Sequence, residues 1–387
     1  MGTPGKPPRR QEQAPVHGRR QRHAPLRPAG RGGHRVAGET YPPGGLRQVT
    51  GPRKLLAVCA GLALVLGLVA LLSLLVGSAR VAPGAIVDLV MGRGPVEGTE
   101  RVVILGIRLP RIAAAALAGG ALAVAGAGFQ ALTRNPLAEP SVLGVSAGAA
   151  FGVVLAQISG LGQGVVEALG LTAFAFAGAL VAGVSVYVIA ATGRGLPVHT
   201  LLLAGVIVGI FFSAAITVLI SLVDTNRLGG VIHWLLGNLA PIPAGALGVF
   251  AAVTALGLWL VLGKARALNL LALGEEGAQE LGVDAERLKR RIFVGSALLT
   301  GAVVAFVGPI GFVGLIVPHA LRMLVGPDNR VLIPAAALGG GVFLLAADTL
   351  ARTVVAPAEL SVGVITSFCG APFFIYLLRS RAGRVMP

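Results

Sequence analysis

Few residues in this sequence are placed to do chemistry on a substrate. The six histidines are scattered, and three of them, His17, His23 and His34, precede the first apolar run. The two cysteines, Cys59 and Cys369, both sit in apolar runs, which excludes a disulfide framework and a cysteine-based metal site. The motifs HExxH, GxSxG and CxxC do not occur. The stretch from Gly257 to Lys264 is one residue too long for a phosphate-binding Walker A loop, and it closes an apolar run. With no catalytic constellation, the expectation is a protein that is not an enzyme and carries no cofactor or metal. Any nucleotide hydrolysis linked to it must come from another polypeptide.

Two groups of residues could act through charge and position instead. The first is the polar stretch 264–291, KARALNLLALGEEGAQELGVDAERLKRR. Glu275 to Leu281 is predicted to form a short helix, with acids in its first turn where they favour the dipole, and Gly282 placed to end it. The stretch reads either as a connector with flanking positive charges or as a docking helix for a cytoplasmic partner. The second group is basic: Arg80, Arg93, Arg101, Arg108 and Arg111 all fall within 77–111.

The elements that must position these residues are apolar. Hydrophobic residues make up 55% of the chain and charged residues 12%, against about 25% charged in a soluble domain. So much apolar surface needs lipid as its solvent. Ten hydrophobic segments are predicted, at 55–76, 112–132, 142–158, 171–192, 201–222, 244–262, 292–307, 311–325, 332–351 and 361–378. The fold class expected is an all-α, polytopic membrane helix bundle. The seventh and eighth segments are parted only by Gly308-Pro309-Ile310-Gly311, which leaves room for two short helices and a turn.

Charge predicts the orientation. With the N-terminus inside, 25 Lys/Arg fall on the inside and 7 on the outside, so both termini are expected in the cytoplasm of a multi-pass inner-membrane protein. Residues 1–54 carry twelve Lys/Arg against Glu12 and Glu39. This Pro- and Gly-rich segment reads as a disordered basic tail that fixes orientation and touches anionic lipid, not nucleic acid. It is no signal peptide, because the first apolar run starts late and is long enough to span a bilayer. Residues 55–387 form the membrane domain. A charge at the bilayer centre costs ~3 kcal/mol, and the candidates Asp348 and Glu139 fall near segment ends. That argues against an ion-coupled secondary transporter, which needs a buried acid–base pair, and for an external energy source. A membrane-embedded enzyme would need a catalytic cluster at one depth.

Eight stretches, in order, resemble the FecCD/BtuC-type permease family, the membrane subunits of ABC importers for iron–siderophores, haem and cobalamin. They are RLPR at 108–111, QALTRNPLAEPSVLGVSAGA at 130–149, LLLAG at 201–205, LNLLALG at 268–274, GFVGLIVPHALR at 311–322, ADTLAR at 347–352, ELSVGVIT at 359–366 and GAPFF at 370–374. The family usually has Pro where Ser361 stands, and the long tail is outside its pattern. The resemblance implies a BtuC-like bundle importing ferric siderophores, with cobalamin or haem as the alternative cargo. It implies a second permease, identical or a sister subunit, two cytoplasmic ABC ATPases and an extracytoplasmic binding protein. It places ATPase coupling in 264–291, at Leu273, Gly274, Glu275, Glu276, Ala278, Glu280, Leu281 and Gly282. It places a cytoplasmic gate at Pro197, Val198 and His199. It matches Arg108, Arg111 and Arg352 to positions that face acidic residues on the binding protein; Arg108 and Arg111 could instead only anchor a helix in headgroups. Asn135-Pro136 with Pro140 reads as a turn, and Pro318-His319 as the end of the eighth span. Gly144-xxx-Gly148 and Gly205-xxx-Gly209 read as packing faces before a substrate path.

Overall fold

The computed structural model describes Gly2 and residues 51–77, 81–91, 98–158, 163–193, 195–222, 225–237, 239–356 and 358–382. The expected tail, 1–54, lies outside the described residues except at its two ends, as do Arg80, Arg93 and Arg194. The chain runs as α1 (Pro52–Leu75), α2 (Pro83–Met91) and α3 (Thr99–Arg101), which passes through a π-helical stretch (Val102–Arg108) into α4 (Leu109–Thr133). A 3-10 turn (Pro140–Leu143) leads to α5 (Val145–Ile158), α6 (Gln163–Ala190), α7 (Val198–Ser221), α8 (Thr225–Leu235) and α9 (Ala244–Leu262). Then come α10 (Ala265–Leu271), α11 (Glu275–Glu280), α12 (Ala285–Val307), α13 (Val313–Val325), α14 (Asn329–Thr353) and α15 (Val362–Ala382). No β-strand occurs among the described residues.

Among the described residues, seven helices are long and apolar enough to cross a membrane, and Val145–Ile158, Val313–Val325 and Val362–Ile375 are shorter apolar helices. All ten overlap the expected segments, but the second runs from Thr99, thirteen residues before its expected start, so Arg101, Arg108 and Arg111 lie within a continuous helix rather than in a loop. The seventh is longer than its apolar part, because α12 starts at Ala285 among charged residues. Asp284 caps it, accepting from the Arg287 amide at 2.9 Å, a link that needs no apolar neighbour.

At the centre stands α4, whose run from Ala113 to Gly128 is almost wholly Ala and Gly. In lipid, helices gain from close backbone approach rather than from hydrophobic exclusion. Accordingly Gly119 packs on Gly340 of α14, and Gly126 on Gly314 of α13; a Cβ on any of them would strike the facing carbonyl. By contrast, α1 keeps most of its apolar surface outward, as a lipid-facing helix does.

Gly308 to Phe312 breaks the chain between α12 and α13. Gly314 then lies against Leu122 and Gly126, halfway along α4, so α13 begins inside the bundle. Its first amide, Phe312 N, is capped by Glu139 Oε1 at 2.8 Å. Burial pushes the Glu139 carboxyl above the ordinary glutamate range. The loop carrying Glu139 is the expected turn: Asn135 Oδ1 accepts from Leu137 N at 2.9 Å, and Pro140 opens the 3-10 turn. One expectation fails. Pro318 and His319 do not end the eighth span but lie within α13, buried, with the His319 ring 6.2 Å from that of Phe373 on α15. The apolar run to Val325 carries the helix past the proline.

Candidate functional site

Three places collect the polar and special residues of the bundle. The first is where α4 starts and α14 ends. Arg111 sits one turn into α4, and Asp348 lies five residues before the end of α14. Asp348, with 0% exposure, holds Arg111 (Nη2 to Oδ1, 2.9 Å) and Arg352 (Nε to Oδ2, 3.1 Å). Arg111 also grips Glu359 through Nη1 at 2.8 Å. Arg352 donates to Ser73 Oγ at 2.6 Å, and Arg108 to the Leu74 carbonyl, both on α1. The three arginines named from the sequence therefore stand together, but buried and engaged within the chain rather than projecting from a rim. Three guanidinium groups against two carboxylates leave this cluster one charge positive. Sequence reasoning missed the buried acid–base pair it had sought. The i,i+4 spacing of Asp348 and Arg352 was the available clue; the pairing with Arg111, 237 residues away, was not readable.

The second place is at the opposite end of α4, about 37 Å away at 1.5 Å per residue. There Gly274 approaches Arg134. As expected, Glu275–Glu280 is a helix flanked by glycines at φ 113° (Gly274) and 81° (Gly282). Its residues divide by face. Leu273 and Leu281 are 69% and 57% exposed, and Glu276 and Glu280 also face outward. Ala278 is buried, and Glu275 turns inward to Lys289 Nζ at 3.0 Å. Two large apolar side chains thus stand in the open beside two acids on this face. Nearby, Arg291 lies over the Trp259 ring at 4.6 Å and fastens α12 to α9.

The third place is a groove of about 570 Å³ between the 3-10 turn, α5 and α7. Ser141, Ser146, Ser213 and Thr217 give it hydroxyls, and among the described residues no charged side chain lines it. Gly144, at φ 71°, packs on Gly205 and Gly209, while Gly148 packs on Gly178. The glycine pairs are packing faces, as expected, and Gly144, Gly205 and Gly209 also border the groove. Pro197 caps the start of α7, followed by Val198 and an exposed His199. Among the described residues, no group of three or more His, Cys, Asp or Glu could hold a metal ion.

Comparison with known proteins follows this geometry. The model of the FecCD transport family matches residues 49–380. The chain is 45% identical over 292 residues to the cobalamin import system permease protein BtuC of Halobacterium salinarum, covering 75% of this chain and 77% of that one. It is 44% identical over 282 residues to the hemin transport system permease protein HmuU of Yersinia pestis, covering 72% and 84%. Among solved structures, a metal-chelate type ABC transporter in an inward-facing conformation superposes with a TM-score of 0.72 at 32% identity, covering 84% of this chain and 99% of that one.

Proposed function

The chain belongs to the FecCD transport family of ABC importer permeases, and we propose that the cargo it moves is a ferric siderophore. The observation that carries this reading is the groove along α7. Among the described residues it is lined by glycines, alanines, hydroxyls and the aliphatic Val142, Val206 and Ile210, with no fixed charge. Such a wall lets a bulky chelate pass without binding it tightly or stripping its metal. Cobalamin or haem is the second reading, because two relatives above 40% identity are named for those cargoes.

In this reading two cytoplasmic ATPases seat on Leu273, Glu276, Glu280 and Leu281, and both termini lie on that side of the inner membrane. A binding protein delivers cargo at the opposite end, where Arg108, Arg111 and Arg352 leave an excess of positive charge for its acids. A second permease, identical or a sister subunit, faces the exposed apolar side of α7, which carries Leu203, Ile207 and Phe211. Pro197, Val198 and His199 close the path at the ATPase end. The buried Arg111–Asp348–Arg352 cluster does not revive ion coupling, since Asp348 and Arg352 sit within two turns of the end of α14 and every member is paired.

The test is uptake by the reconstituted permease, ATPases and binding protein in sealed vesicles. ATP-dependent uptake that survives collapse of the proton gradient is expected. Uptake driven by the gradient without ATP overturns the importer reading. The cognate binding protein, titrated with a ferric siderophore, cobalamin and haem, decides the cargo; tight binding of cobalamin or haem alone moves the assignment to the second reading.

A further inference from the structure

Lys289 is buried at the ATPase end of the bundle, with its side chain 3% exposed. Its ammonium meets two carboxylates, Glu275 at the start of α11 (3.0 Å) and Glu286 one turn back on α12. Glu286 has a second task. Its Oε2 accepts from the backbone amide of Leu196 at 2.7 Å. Leu196 is buried and directly precedes Pro197, the cap of α7. Gly195, at φ 131°, lets the backbone lie on this carboxylate: a Cβ there would fall 2.5 Å from Glu286 Oε2. The consecutive helices α11 and α12, at 275 and 286–289, thus meet the distant segment 195–196, 90 residues before Glu286, around one cation and its carboxylates.

We propose that Lys289 is a positioning residue that ties α11 to the start of α7, so that displacement of α11 by an ATPase reaches Pro197–His199 through Glu275, Lys289, Glu286 and the Leu196 amide. The proposal deepens the reading of α11 as the ATPase contact and of 197–199 as the gate, and it rests on both. Apolar contacts are non-directional and let helices slide. Charge-assisted hydrogen bonds are directional and stronger, and parting one here would leave a buried ion without its partner. The two helices and the turn therefore move as one body. Glu275 also lies at the N-terminus of α11, where a carboxylate is favoured by the helix dipole, so the contact holds the helix at its end and fixes its tilt.

A simple brace and a relay differ in what is lost. Removing a brace lowers stability; removing a relay lets ATP hydrolysis continue without transport. The test uses the whole complex in liposomes and measures ATP hydrolysed per cargo moved. Lys289→Met is expected to raise that ratio about tenfold or more, the usual scale of coupling between sites, with hydrolysis near the wild-type rate. Lys289→Arg should restore most of the coupling. Glu275→Gln, which removes the charged link to α11 and leaves the Lys289–Glu286 pair in place, should raise the ratio in the same direction and silence the label at 199. Spin labels at positions 279 and 199, in a chain lacking Cys59 and Cys369, give an independent readout. ATP should shift both labels in the wild type, and only the label at 279 in Lys289→Met. Should Lys289→Met fail to assemble, Glu275→Gln with the same labels decides. An unchanged ratio in the assembled variants, or a label at 199 that still responds, overturns the proposal. A wild-type complex whose label at 279 ignores ATP overturns the underlying ATPase-contact reading, and the proposal with it.

Discussion

Asp348, itself with no exposed surface, holds two guanidinium groups, and this decides how each residue of that cluster answers to mutation. Asp348→Asn leaves Arg111 and Arg352 facing each other without their shared counter-charge. Breaking a buried pair in this way costs about 3–5 kcal/mol, so a large fall in the melting temperature of the purified protein is expected. Glu359 is 39% exposed, and Glu359→Gln should cost only about 0–1 kcal/mol. The same change frees one positive charge at the proposed docking end. An acidic binding protein should then associate faster at low salt, with the gain lost at high salt; no change in association at low salt would argue against docking there. Reversal at Arg111 is a poor docking probe, because Arg111→Glu sets a third carboxylate beside Asp348 and Glu359. Loss of folded protein is expected, visible as failure to elute as a single species after extraction.

At the scale of elements, α11 and its glycine boundaries carry the sharpest prediction. Gly282 ends the helix at φ 81° with open space around it. A side chain there meets no neighbour, so the penalty comes from the backbone alone, about 1–2 kcal/mol for a left-handed L-residue. Gly282→Val, β-branched, should insert normally but lose most transport as the helix end shifts; Gly282→Asn, which visits the left-handed region more easily, should keep it. Normal transport by Gly282→Val would reduce 264–291 to a connector. Gly119 is the opposite case. Its space, not its φ, is what matters, because Gly340 occupies it. Gly119→Val should therefore separate α4 from α14 and abolish accumulation of the folded bundle, read by the yield of monodisperse protein.

Across the whole molecule, α4 links the two ends: the arginine cluster at its start, and the approach of Arg134 to Gly274 at its finish. Single cysteines at the exposed positions 276 and 99, in a background lacking Cys59 and Cys369, are expected to react with an impermeant thiol reagent from opposite sides of sealed vesicles, position 276 from the cytoplasmic side. Reaction of both from one side would break the proposed topology, and with it the assignment of one end to ATPases and the other to a binding protein.

Lys289 and Asp348 mark how far the sequence reaches. The hydropathy of 387 residues was enough to place ten apolar segments, because in lipid each span must satisfy its own backbone hydrogen bonds and so declares itself locally. The boundaries of α11 were legible for the same reason: acids in the first turn and a glycine past the last are local signals. The pairing of Arg111 with Asp348, and of Glu286 with the Leu196 amide, depends on which helices lie side by side. That is set by close fits such as Gly119 on Gly340, between residues more than two hundred positions apart. No periodicity encodes such a meeting. Only the tertiary structure turned arginines expected on a rim into a buried cluster, and a lysine in a basic run into the centre of three segments.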